Sequence, residues 1–168
     1  FNGATSLTSV TLPDTSAVMY MTGMFMNATN LTSVTLPKTG AVTSMSYMFF
    51  GNTSLTSVTL PKTGAVTDMS SMFDSVSLST TSYDALLNSW NALTLQNGVV
   101  FSGGNSILSP ASADAKANII STYGWTITDG GIDSVLPTVT LTSPSDNVTT
   151  AFTVTATFSE AVTGFEVG

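Results

Sequence analysis

Along the first 73 residues the apolar positions fall in columns 24 residues apart. The string Leu-Thr-Ser-Val-Thr-Leu-Pro begins at Leu7, Leu31 and Leu55. The same step relates Val18, Val42 and Val66; Met21, Met45 and Met69; Met24, Met48 and Met72; and Phe1, Phe25, Phe49 and Phe73. A period of this size marks a small structural unit that is repeated and stacked. Alternation about Val10-Thr11-Leu12 puts Val and Leu on one face and Ser9 and Thr11 on the other, so each copy is expected to carry a short strand. Pro13 should end it, because proline has no N–H for a ladder. Val18, Met21, Met24 and Phe25 are spaced more like a helical stripe than an alternating strand, which predicts a short helix or helical turn. One copy therefore reads strand, turn, short helix. A lone copy cannot bury its apolar face, so neighbours must share faces and strand hydrogen bonds. The Met columns suit adaptable core filling.

After Phe73 the period breaks. Tyr83, Leu86, Leu87 and Trp90 fall at i, i+3, i+4 and i+7, predicting an amphipathic helix over 82–91 capped by Thr81 or Ser82. Val99-Val100-Phe101 reads as a strand before a Gly103-Gly104-Asn105 turn. Ser109-Pro110 opens a second helix through Ala113, Ala117 and Ile120 that stops at Gly124. Trp125-Thr126-Ile127-Thr128 is a further strand. A stack of repeats needs a terminal unit with a polar outer face, and this segment suits that role, with Trp90 and Trp125 in its core. From Pro137 the pattern alternates again. Phe152, Val154, Ala156 and Phe158 share one face, as in a β-hairpin or sandwich. The expected division is 1–73 repeats, 74–131 cap, and 132–168 a linker with the first strands of a β-domain.

Composition narrows the function. The chain has 168 residues with no Cys, no His and no Arg, and a net charge of −7. Disulfides, Cys or His zinc sites and His-based nucleophilic catalysis are excluded. Three Lys against ten acids do not make a nucleic-acid surface. No apolar run approaches the roughly 20 residues of a membrane span. The chain opens on Phe1 without a leader pattern, which suggests an internal or processed piece. Ser and Thr number 24 and 30.

The repeat Leu-Thr-Ser-Val-Thr-Leu-Pro-x-Thr-x-x-Val-x-x-Met-x-x-Met-Phe resembles that of the BspA-like leucine-rich-repeat surface proteins of bacteria. So does the closing segment, with Tyr83-Asp84-Ala85-Leu86-Leu87-x-x-Trp90, Phe101-x-Gly103-Gly104-Asn105 and Gly124-Trp125-Thr126-Ile127-Thr128-Asp129-Gly130-Gly131. Residues 132–168 resemble the start of a bacterial immunoglobulin-like domain. The resemblance implies an α/β leucine-rich-repeat solenoid with an α/β C-terminal cap, followed by a partial all-β immunoglobulin-like sandwich. It further implies a secreted or cell-surface, non-enzymatic adhesion module that binds a protein or glycan on host, matrix or neighbouring cell.

Stacking would align Ser9, Ser33 and Ser57 in one row and Thr11, Thr35 and Thr59 in another, about 4.8 Å apart. This polar strand face is the candidate docking surface. Two alternatives compete with it. One is a structural segment of a filament or adhesin stalk that self-associates through its chain ends. The other is an ice-binding threonine ladder. The charge is lopsided, with the excess acids after residue 72. Asp129, Asp133, Asp146 and Glu160 are hard oxygen donors and mark a candidate calcium site. Lys38 and Lys62 recur at one repeat position, as solvated turn residues do, which argues against a catalytic role.

Overall fold

The computed structural model describes residues 1–12, 14–36, 38–60, 63–135, 138–142 and 155–159. Pro13 and the prolines that repeat it at 37 and 61, with Lys62, Pro137, Asp146, Phe152, Val154 and Glu160, lie outside them. The chain divides into two compact units, Phe1–Asp133 and Ser134–Gly168.

In the first unit each repeat contributes one three-residue strand: β1 (Ser9–Thr11), β2 (Ser33–Thr35) and β3 (Ser57–Thr59). They pair in parallel, Val10 opposite Val34 and Val34 opposite Val58, so the register equals the sequence period. The strand faces are as expected. Val34 and Val58 are buried and Thr35 and Thr59 exposed. Beneath them the Met columns and Phe25, Phe49 and Phe73 form the core. Those rings stack on one another, and Phe1 on Phe25, with centroids 5.3–5.6 Å apart and nearly parallel planes. Offset stacking of this kind adds to the burial of each ring.

The segment expected to hold a short helix forms consecutive turns instead. The amides of Met21, Gly23, Phe25 and Asn27 donate to Ser44, Ser46, Met48 and Phe50 of the next copy, at 2.8–3.0 Å. Those of Met24, Met26 and Ala28 donate three residues back, to Met21, Gly23 and Phe25. Every second amide is therefore drawn sideways between copies, which a helix does not allow. Gly23 is third in the turn Met21–Met24 with φ 59, the conformation a type II turn requires there. Tyr47 and Ser71 hold the same place at φ 54 and 51.

The stack ends where α1 (Thr80–Asn91) replaces a fourth strand. Ser79 stands 24 residues after Leu55. Its amide donates to Thr56 O, its hydroxyl caps the helix by accepting from Ser82 N, and Ser82 Oγ accepts from Val58 N. Trp90 Nε1 donates to Leu60 O at 3.3 Å. The edge of β3 is thus satisfied by a helix, and the N-cap is Ser79 rather than Thr81 or Ser82. Next, β4 (Val100–Ser102) pairs in parallel with β5 (Thr126–Thr128). Between them a 3₁₀ turn, Pro110–Ser112, runs into α2 (Ala113–Tyr123), ended by Gly124 at φ 66. The buried positions of α2 are Ala115 and Ile119, whereas Ala117 and Ile120 are exposed. The helical phase is set after the 3₁₀ turn rather than at Pro110, which shifts the stripe from the expected one. Trp90 and Trp125 are both buried in this core.

In the second unit β6 (Val139–Thr142) and β7 (Thr155–Phe158) pair antiparallel, Val139 opposite Phe158 and Thr142 opposite Thr155. Ala156 and Phe158 are half-buried and Thr155 and Thr157 exposed, in keeping with the alternation.

Candidate functional site

Parallel pairing in register places Ser9, Ser33 and Ser57 in one outward column and Thr11, Thr35 and Thr59 in the other. Ser33 is half-buried and the other five are exposed. Other threonine columns in the same stack are already engaged. Thr32 and Thr56 donate their hydroxyls to Thr8 O and Thr32 O, and Thr43 and Thr67 donate theirs to Met19 O and Thr43 O. These bonds brace adjacent copies. The hydroxyls of the two strand columns make no hydrogen bond within the described residues, so their donors and acceptors face water. Asp14 and Lys38 are the charges in the first 60 residues, and they pair with each other at 3.2 Å. The strand face is therefore a neutral lattice of hydroxyls with a regular rise.

Asp129 is not an uncompensated carboxylate. Lys116 Nζ lies 2.7 Å from both of its oxygens, Tyr83 OH donates to Oδ2 at 2.6 Å, and Gly131 N donates to Oδ1 at 3.0 Å. Its side chain is 3% exposed and that of Lys116 19%. Thirteen residues separate Lys116 from Asp129, but α2 and the end of β5 bring them together. For Asp129 the motive for a calcium ion is removed, because an ammonium already neutralises it. The amide of Asp133 donates to Leu108 O at 2.8 Å. Asp146 and Glu160 lie outside the described residues. Among the described residues no group of three or more His, Cys, Asp or Glu is placed to hold a metal ion. Burial, and then the bond to Asp129, push the Tyr83 phenol well above its ordinary range. Hydrogen bonds from Ser16, aided by Lys38, hold the Asp14 carboxyl down at about 2.

Two buried polar side chains have no partner in the described residues, Asn52 through both amide atoms and Thr63 through Oγ1. The equivalent Thr15 donates its hydroxyl to Lys38 O one copy on. For Thr63 the corresponding position falls within α1, so the repeat's own partner is missing. Sequence reading also passed over Tyr20, Tyr47 and Phe50. The visible signal was that each breaks a column of the repeat: Tyr20 with Ser44 and Asp68, Tyr47 with Gly23 and Ser71, Phe50 with Met26 and Asp74.

No described helix is long and apolar enough to cross a membrane. Neither the curated proteins nor the solved structures contain a match to this chain. A family model described as a Mycoplasma protein of unknown function, DUF285, matches residues 1–110. That span takes in all three copies, α1 and β4, so the repeat stack and the start of its cap are what the match rests on. With well over half its length matched, the chain belongs to the DUF285 family.

Proposed function

We propose that this chain is a non-enzymatic adhesion module of a cell surface, built as a leucine-rich-repeat solenoid. It docks a protein or glycan of a host, matrix or neighbouring cell on the polar strand face. The observation that carries this reading is the contrast among hydroxyl columns. Those elsewhere in the stack brace one copy against the next, whereas the hydroxyls of Ser9, Ser33, Ser57, Thr11, Thr35 and Thr59 lie on the outer face and make no hydrogen bond within the described residues. Six uncharged hydroxyls on a rigid sheet suit a polar ligand held by many hydrogen bonds, each contributing about 1 kcal/mol net.

The test is capture on an array of glycans and matrix proteins by the whole chain and by a Thr11→Lys, Thr35→Lys, Thr59→Lys variant. Three ammoniums in one column would repel one another and block close approach, while the buried Val column stays intact. The reading expects captured ligands on the array, lost in the variant with little change in melting temperature. Equal capture by both proteins would overturn it. Ice-growth inhibition without array binding would replace it with the ice-ladder alternative.

A further inference from the structure

We draw no further inference here: the strongest candidate, the uncovered outer side of β1 and its copy, where Leu7, Val10 and Leu12 are half-buried although Leu31, Val34 and Leu36 one copy on are buried, is an unpartnered apolar face, and nothing in the structure shows what covers it.

Discussion

Replacing Lys116 by Met would leave the Asp129 carboxylate buried with two neutral donors, Tyr83 OH and Gly131 N, and no counter-charge. Removing one partner of a buried ion pair costs about 3–5 kcal/mol, because the remaining charge has lost both water and its partner. Lys116 retains 19% exposure, so some solvent reaches the pair, and the expected loss is at the lower end, about 3 kcal/mol. For a chain of this size each kcal/mol moves the melting temperature by about 2–4 °C, so Lys116→Met should melt about 6–12 °C lower. Asp129→Asn should cost less. Its orphan is a Lys on a flexible stem that can turn its ammonium to water, while the amide oxygen still accepts from Gly131 N and the amide NH2 can donate to the Tyr83 hydroxyl. The double variant should be more stable than Lys116→Met alone, since neither charge is then unpaired. The assay is urea unfolding followed by Trp fluorescence, with Trp90 and Trp125 both in this core. A loss below about 1 kcal/mol for Lys116→Met, the range of surface pairs, would refute the buried-pair reasoning. A double variant no better than the single would do the same.

Three other outcomes follow from individual side chains. Asn52→Leu, a swap of similar shape, removes an unpartnered buried amide and should stabilise by about 2 kcal/mol in the same urea assay; destabilisation would mean that the amide has a partner. By the same logic Thr63→Val should stabilise and Thr15→Val destabilise, each by about 1 kcal/mol. A Cβ at Gly104 would fall 2.0 Å from Phe73 O at φ 64, so Gly104→Ala should cost at least about 3 kcal/mol and one thermal melt decides it. For Tyr83 the folded-state pKa is raised, so its contribution is fully present below the unfolded value near 10 and is lost as pH rises above it; Tyr83→Phe should flatten the alkaline limb of a stability–pH curve.

The strand positions and the core columns were legible because a 24-residue step fixes the pairing register and alternation fixes the faces. The error at Val18–Phe25 has a definite cause. Apolar spacing within one copy reports which side chains are buried, and the same 3-3-1 spacing serves a helix or a run of turns. What decides is where the amides of Met21, Gly23, Phe25 and Asn27 go, and they go to the neighbouring copy. That choice depends on stacking, which no single copy displays. The α2 stripe was displaced for a related reason, since the 3₁₀ turn at Pro110–Ser112 resets the phase before the helix begins. The candidate strand columns could be written down from the repeat alone. The partnership of Lys116 with Asp129 could not, because it depends on how α2 and β5 meet in space.

The central claim is that ligand docks on the outward hydroxyls of β1, β2 and β3. The most direct measurement is amide NMR of the labelled chain titrated with the strongest ligand from the array. The account expects the largest shifts at Ser9–Thr11, Ser33–Thr35 and Ser57–Thr59, rising together along all three strands with one dissociation constant. Shifts confined to the cap or to other residues outside the three strands, with the strand amides unmoved, would contradict it.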